Sequence, residues 1–539
     1  MAKNLIGFRS TTELCVVKTD AALCDHLRVE ERSAPSDRRE RESETRGEKR
    51  SHFASVERTQ LHLPLVASAV GDMGVVIESD RWEPKPSAFI FLSAACFASI
   101  FLRPYFSKSN AARGSGASSL LDLGPTASFL RFQRGFLLLY SLASVMDGLE
   151  SMFGEYEFAL YGISREQMTW YLSIGAVAAL VFGTFSGVLF DMVGPRKACL
   201  LFCILHLFVG VLKSVVRHPT VWISSICLSL ASSLFSFCYE TWMVMEHEKQ
   251  GHKQDLLSDT FWLMTFFESL SLIGSQGLAN LLVKDLKRRS LSPYVLAALL
   301  AILSALCIRK QWNRSYHIIS VDSYIKSFSA HVLRDKKILA LAWTQASIHF
   351  SMSVVWILWA PTLVDILLIG FIDVCLQADG REVNLSMIYP CFIGSRMLGS
   401  TVFPWYFSEV KSFGNEDCLT TALGVAGLAL FIVAYDYQEI GFLVILFCVF
   451  HACVGFSLPS LARLRTMYLP NELRGGMISS SLAPANVAIL LFLLKGGYHQ
   501  NLENSTIMAL SAFGLLIAAG CIYKLRSWRK QCRQDWHYT

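Results

Sequence analysis

Charge is what this sequence is short of. Asp, Glu, Lys and Arg make up 17% of its 539 residues, against about 25% in an ordinary soluble domain. The 15 cysteines contain no Cys-x-x-Cys pair, and no Cys/His cluster has zinc spacing. Many of them (Cys96, Cys199, Cys203, Cys227, Cys448, Cys453, Cys521) lie inside apolar blocks, where a thiol packs as a small hydrophobe. A nucleophile–base arrangement and a glycine-rich phosphate loop are also missing; Gly114-Ser115-Gly116 lacks the lysine such a loop needs and reads as flexible chain. No enzyme chemistry, cofactor or metal is therefore expected. The formal charge of +6 is small enough for basic loops beside a membrane to account for it, with no nucleic-acid partner.

What fills the chain instead is apolar residues, 53% of the total. They fall in blocks of roughly 17 to 25, the length that crosses about 30 Å of hydrocarbon at about 1.5 Å per residue. These blocks lack the polar residue at every third or fourth place that marks a soluble amphipathic helix. A first block covers 87–105 and ends at Arg103-Pro104, and a Gly/Ser-rich linker follows from Arg113 to Ser119. Twelve more candidate spans occupy 134–157, 168–190, 198–216, 220–243, 260–283, 292–308, 338–360, 384–406, 418–435, 440–462, 477–496 and 505–524. A polar stretch, 309–337, divides them into a six-helix N-terminal bundle (128–308) and a six-helix C-terminal bundle (338–524), with a tail at 525–539. The expected architecture is an all-α polytopic membrane protein in a lipid bilayer, two six-helix bundles plus one extra N-terminal helix, working as a monomer.

Residues 1–72 differ from the rest. Arg28 to Arg58 is dense in Arg, Glu and Ser and cannot bury enough surface to fold, so this region is expected to be disordered. No apolar run precedes a small-residue cleavage site, and Met73 stands as a candidate alternative start. Basic residues set the orientation. Arg196, Lys197, the central stretch (Lys310, Arg314, Lys326, Arg334, Lys336, Lys337), Arg463, Arg465, Arg474 and the tail from Lys524 to Arg533 share one side, which reads as cytoplasmic. Lys284, Lys287, Arg288 and Arg289 run against that bias. Two Asn-x-Ser/Thr sequons, at Asn384 and Asn504, fall at or near outer loops. The plasma membrane is the expected residence.

The sharpest local motif follows the second span: Gly187-Val-Leu-Phe-Asp191-Met-Val-Gly194-Pro195-Arg196-Lys197. Gly187 lets two helices approach closely, and Gly194 with Pro195 makes a tight turn. Asp191 can pair with a basic group or a helix N-terminus of the other half, a latch that must break when an inner gate opens. This loop resembles the G-x-L-x-D-x-x-G-x-R-R signature of the major facilitator superfamily, which implies its fold. A narrower resemblance, to the eukaryotic molybdate-anion transporters, is carried by Ser128-Phe-Leu-Arg-Phe-Gln133, Glu240-Thr-Trp242 with Glu246-His247, Leu358-Trp-Ala-Pro361, Leu398-Gly-Ser400, and Ala452-Cys-Val-Gly455 through Pro459-Ser460. It implies uptake of molybdate, and the extra N-terminal block matches that family too.

Departures from that family concentrate on charge. An Arg in the family's span four is replaced by the run Ser224-Ser225-Ile-Cys-Leu-Ser229, and an Arg in span eleven aligns with Leu482. Glutamates of spans seven and ten are His349 and His451 here. The D-W-L-Q-G-P-Y motif of span one is Asp147-Gly-Leu-Glu150-Ser-Met-Phe153, and Arg396 stands where the family has a small residue.

A charge at mid-bilayer costs roughly 2.5–3.5 kcal/mol on the insertion scale, so charged groups in spans should face the bundle interior. Asp147 and Glu150, three apart on span one, share a face; Glu268 is deep in span five and Arg396 deep in span eight. Arg396 is the first candidate for an anion contact, because a guanidinium offers fixed donors to an oxyanion; the alternative is a structural pair with Asp147, Glu150 or Glu268. Asp147 or Glu150 is a candidate carrier of a coupled proton, or else a structural hydrogen-bond partner. His349 and His451 carry the same two readings, and Glu240 with Trp242 serves gating or packing. The expected function is secondary active transport of a small anion, with molybdate as candidate. The alternatives are a carrier of another small solute, or a transporter-shaped receptor or scaffold that moves nothing.

Overall fold

A membrane-spanning segment must satisfy its own backbone, because hydrocarbon offers no partner for a free N–H or C=O. In the computed structural model every element among the described residues is accordingly helical. The described residues are 82–113, 127–160, 165–215, 221–252, 254–285, 292–310, 320–373, 384–409, 414–435, 439–498 and 504–538. The region 1–72, the Gly/Ser run at 114–119 and the basic residues Lys287 to Arg289 lie outside them. Many serines and threonines inside the helices bond back to their own backbone, as Ser144 to the Tyr140 carbonyl at 2.9 Å and Ser395 to the Cys391 carbonyl at 2.8 Å. Their hydroxyls are thereby satisfied without a polar neighbour.

The helices, in chain order, are α1 (Pro86–Arg113), α2 (Ala127–Leu160), α3 (Arg165–Ala178, a π-helical turn Ala179–Gly183, then Thr184–Val193), α4 (Pro195–Val215), α5 (Val221–Lys249), α6 (Gln254–Asp285) and α7 (Pro293–Lys310). After the central stretch come α8 (Val321–Phe328), α9 (Lys336–Asp373), α10 (Leu385–Glu409), α11 (Asn415–Tyr435), α12 (Ile440–Tyr468), α13 (Arg474–Tyr498) and α14 (Asn504–Tyr538). Among the described residues, ten helices are long and apolar enough to cross a membrane. Their outward faces carry the apolar residues that lipid would cover, Phe182, Phe185, Leu281 and Phe431 among them.

The packing repeats itself. In the first half α2 lies against α6 and α7, α4 against α5 and α7, and α3 against α5. In the second half α9 lies against α13 and α14, α11 against α12 and α14, and α10 against α12. Shifting each N-terminal helix by six spans generates its C-terminal counterpart, the relation of two parallel repeats about an axis along the membrane normal. The halves meet along two seams, α6 with α10 and α3 with α13, joined by α6 with α12 and α5 with α13. Helix α1 lies on α10, where Ser99 donates to the Thr401 carbonyl at 3.1 Å and Trp405 Nε1 donates to the Ser99 carbonyl at 3.0 Å.

Two segments carry more structure than their polarity suggests. Within 309–337, Val321, Tyr324, Ile325 and Phe328 recur at helical spacing and form α8, which turns Tyr324 into the protein while Val321 and Ile325 stay exposed. The tail prolongs α14: Arg526 and Arg529 reach back to Asp417 and Glu416 in the first turn of α11, at 2.5 and 2.9 Å. Carboxylates in a first turn also suit the positive end of a helix.

Candidate functional site

A proline interrupts the backbone bonding of α10. Pro390 has no N–H to give the carbonyl four residues back, which belongs to Ser386. That carbonyl is taken instead by Gln276 of α6, whose Nε2 donates to it at 2.9 Å. The α6–α10 seam is thus pinned by a side chain from the opposite half. One and a half turns further along, Arg396 sits where α10 crosses α12. The crossing is close because it is lined by glycine: a Cβ on Gly455 would land on the Arg396 carbonyl oxygen, and one on Gly399 would land on that of Ala452.

From that crossing Arg396 reaches back across the seam. Its Nη2 donates to Glu268 Oε1 at 2.7 Å, and the other carboxylate oxygen accepts from Tyr140 of α2, also at 2.7 Å. The side chains of Arg396 and Glu268 are 6% and 18% exposed, so the pair is largely withdrawn from solvent yet not sealed. Arg396 Nε is buried with no acceptor. The Tyr140 ring stacks on Phe235 at 5.3 Å and meets Tyr239 edge-on at 5.5 Å, which fixes its hydroxyl on the carboxylate.

Of the three carboxylates that sequence reading offers to Arg396, the structure gives it Glu268. Glu150 faces into the first half, where it meets His206 Nδ1 of α4 at 2.8 Å, with both side chains essentially unexposed. Asp147, one turn back on the same helix, is part-exposed, lies two turns from Tyr140 on the same face, and forms no hydrogen bond to a described residue. His349, on α9, stands beside Asn486 of α13. His451 is fully buried among Trp356, Phe392 and Phe450, ring centroids 4.9 to 5.3 Å away, and neither of its ring nitrogens has a partner.

A second polar constellation lies at the end of the bundle that carries most of the basic residues. Gly194, with φ of 113°, closes α3 in a conformation that favours glycine and gives its N–H to the Phe190 carbonyl at 2.8 Å. This leaves Asp191 on the last turn, 2% exposed, facing the start of α13. The first amides of a helix have no partner in the helix itself. Asp191 supplies one: Oδ1 accepts from Gly475 N at 3.0 Å, and Oδ2 accepts from Gly476 N at 2.6 Å and from the Tyr324 hydroxyl at 2.9 Å. Gly187, one turn back, abuts the same helix, so that a Cβ there would strike the Gly475 carbonyl oxygen.

Beside this cap, Glu240 of α5 is clasped by two arginines of the other half. Arg465 donates to both carboxylate oxygens through Nε and Nη2, and Arg474 Nη1 donates to Oε1 at 3.0 Å. Arg465 also reaches Gln345 at 2.5 Å, and Arg474 reaches Thr466 and Asn471 at 3.2 and 3.1 Å. Asn471 in turn donates to Glu248 at 2.7 Å, and Ser479 donates to the Thr184 carbonyl at 2.9 Å. Two acids from one half and two arginines from the other balance here. Arg196 stays within its own half, paired with Glu246 at 2.6 Å and lying over Trp242 at 5.6 Å; Lys197 is exposed and outside the constellation.

Sequence reading passes over several of these groups. Arg465 and Arg474 read there only as orienting charges. Their signal is that each adjoins a long apolar run, and both are buried. Tyr140, His206 and Tyr324 give no signal short of the fold.

Comparison with known proteins follows from this geometry. The family described as sugar transporters with 12 transmembrane segments matches residues 112–445. A molybdate-anion transporter of Xenopus laevis is 23% identical over 407 residues, 74% of this chain and 86% of that one, and one of Danio rerio is 20% identical over 437. Among solved structures, a bacterial homologue of the iron transporter ferroportin in an outward-facing state aligns with TM-score 0.56 at 15% identity, covering 74% of this chain and all of that one. The Escherichia coli fucose:proton symporter aligns with TM-score 0.55 at 10% identity, over 74% and 98%. At such identities the structural likeness speaks for the fold alone.

Proposed function

The chain belongs to the major facilitator superfamily, in its twelve-span sugar-transporter family, and from that premise we propose that it is a secondary active transporter of a small anion, working by alternating access. It is an integral membrane transporter rather than an enzyme. The observation that carries the anion is Arg396: a guanidinium at mid-depth, on the seam between the halves, with a buried Nε that has no acceptor. A neutral sugar brings no counter-charge to such a group, whereas an oxyanion brings both charge and acceptors. Molybdate is the first candidate because the curated relatives carry that name. Asp147, Glu268 and His349 are the ionisable groups that would tune binding at Arg396. Glu150 and His451, enclosed in their own halves, would act on the site through packing.

The gate reading rests on the Asp191 and Glu240 constellation. With the basic end cytoplasmic, these contacts hold the inner side shut, and Gly187, Gly194 and Arg196 shape the loop that makes them. Opening requires α13 to leave Asp191 and both arginines to leave Glu240. The extra helix α1 would ride on α10 with the C-terminal half, and the plasma membrane is the proposed residence. A second reading, a transporter-shaped receptor, is favoured by the occupation of Arg396 by Glu268. Flux separates the two. Uptake of molybdate, sulfate and organic anions into proteoliposomes bearing the intact chain should exceed that of Arg396→Ala by at least an order of magnitude. Equal uptake removes Arg396 from the mechanism; ligand-induced stabilisation without flux selects the receptor.

A further inference from the structure

Glu268 occupies the group that an anion would need, and it does so as an anion itself. We propose that Glu268 is the proton-binding site of the transport cycle: a proton taken up by its carboxylate releases Arg396 to the transported anion. This rests on Arg396 being the anion contact.

One guanidinium, on a side chain only 6% exposed, faces one carboxylate at 2.7 Å. A second anion at Arg396 would sit within a few ångströms of Glu268 in a poorly hydrated setting, where like charges repel strongly. Neutralising Glu268 removes that repulsion, and the anion then restores the charge the carboxylate gave up. The step balances simply: a proton leaves hydronium and bonds to the Glu268 carboxylate, releasing water, so a monoanion leaves the net charge of the site unchanged and a dianion such as molybdate makes it one unit more negative.

Hydrogen bonding permits both states. The Tyr140 hydroxyl donates to Glu268 now, and a hydroxyl accepts as readily as it donates, so it can take the proton of the neutral acid without moving. Arg396 has spare donors: only Nη2 is spent on Glu268, and Nε is buried without an acceptor. The helices packed most closely on α6 are α2, α10, α12 and α7. From α2 come Tyr140 and Asp147. From α10 comes Arg396, and from α12 come His451, Cys448 and Cys453. Between Tyr294 and Arg309, α7 carries Cys307 as its sole ionisable residue. Asp147 is the one other carboxylate on this face, and it touches neither Arg396 nor Glu268 by any hydrogen bond among the described residues.

The test uses the full-length purified protein with sodium molybdate and, separately, sodium sulfate, read as thermal stabilisation from about pH 6 to about pH 8. With one linked proton the apparent affinity of the intact protein rises by up to roughly tenfold for each unit of pH lowered. Glu268→Gln should bind with a single, pH-independent affinity close to the acid limit of the parent, and Glu439→Gln, at the exposed start of α12, should keep the parent's dependence. Retention of the pH dependence in Glu268→Gln, or its loss in Asp147→Asn or Glu439→Gln, overturns the assignment. Because Glu268→Gln leaves Arg396 without its carboxylate and can fold poorly, proton uptake is also measured on the intact protein in weak buffer. About one proton per bound anion is expected, and none overturns the proposal. Anion binding by the parent with no pH dependence sinks this step alone, whereas no binding of either anion at any pH sinks the anion-carrier reading with it.

Discussion

Replacing Asp191 by Asn tests the latch at its centre. The carboxylate accepts two backbone amides from the start of α13 and one hydroxyl from Tyr324. An amide side chain keeps one carbonyl oxygen and presents an NH2 group where the second acceptor was, opposite a donor. One hydrogen bond to a charged acceptor is lost, about 1.5–3 kcal/mol, together with a partly buried negative charge at a helix start, worth up to about 2 kcal/mol. Relief of the buried charge's desolvation works the other way, so the net loss of closure is taken as about 2–4 kcal/mol. At about 1.4 kcal/mol per tenfold, opening of this end becomes roughly thirty to several hundred times more frequent. Amide hydrogen exchange reads that directly, since protection reports the free energy of local opening. In purified protein the Gly475 and Gly476 amides should lose protection by that factor in Asp191→Asn, while amides in the middle of α11, remote from the seam, keep theirs. Tyr324→Phe should produce a smaller loss at the same two amides, by roughly five- to tenfold, for the one bond it removes. Unchanged protection at Gly475 and Gly476 in Asp191→Asn would refute the capping argument.

Three further outcomes follow from the same geometry. Gly187→Ala places a methyl group against the Gly475 carbonyl oxygen, backbone that cannot swing aside. It should cost closure about 1–3 kcal/mol, cut uptake, and expose the same amides; full activity would show that the helices have slack. Glu240→Gln leaves Arg465 and Arg474, with side chains 5% and 0% exposed, short of their carboxylate. A lower unfolding midpoint is expected, corresponding to about 3–5 kcal/mol, and an unaltered midpoint would mean that the arginines find other acceptors. His451→Phe removes two unpartnered ring nitrogens from an aromatic enclosure, and should raise stability by up to about 1–3 kcal/mol with uptake intact. A fall in uptake despite that gain would place His451 in contact with solute.

How far the sequence reaches depends on what each inference needs. The spans need only length and the absence of charge, which the chain states plainly. Asp191 needs a motif and the unsatisfied amides that begin any helix, so its pairing with the other half could be anticipated in kind, though Gly475 and Gly476 could not be named. Arg396 follows from the cost of a charge in hydrocarbon. Its partner does not: choosing Glu268 over Asp147 and Glu150 requires the rotation of three helices about their axes, and apolar blocks that are greasy all round carry no phase. The same lack of phase hides His206, which becomes visible only when α4 lies against α2. Tyr324 is hidden for another reason. It belongs to a stretch whose polarity suggests a loop, and the helical spacing of Val321, Tyr324, Ile325 and Phe328 is brief enough to pass for chance.

The two constellations differ in a way that fits the motions asked of them. At the basic end hydrogen bonds and ion pairs cross between the halves, beside apolar neighbours such as Val188 and Phe328 at Gly476. Water can replace each of those bonds when the end opens, and a hydrogen bond exchanged for one to water changes free energy by only about 0.5–1.5 kcal/mol. A greasy seal of equal area would have to expose its whole surface, at about 25 cal/mol for every Å², and would trap the protein shut. On the proposed alternating-access reading, polarity here would keep the closed and open states close in energy. The Glu268–Arg396 pair is under no such demand. It sits on the α6–α10 seam, where Gln276 also crosses, and under the proposed cycle its charges would be exchanged for a proton and an anion without the seam coming apart. On that reading, polar contacts that rehydrate would serve the moving end, and a charge pair that changes partners would serve the fixed centre.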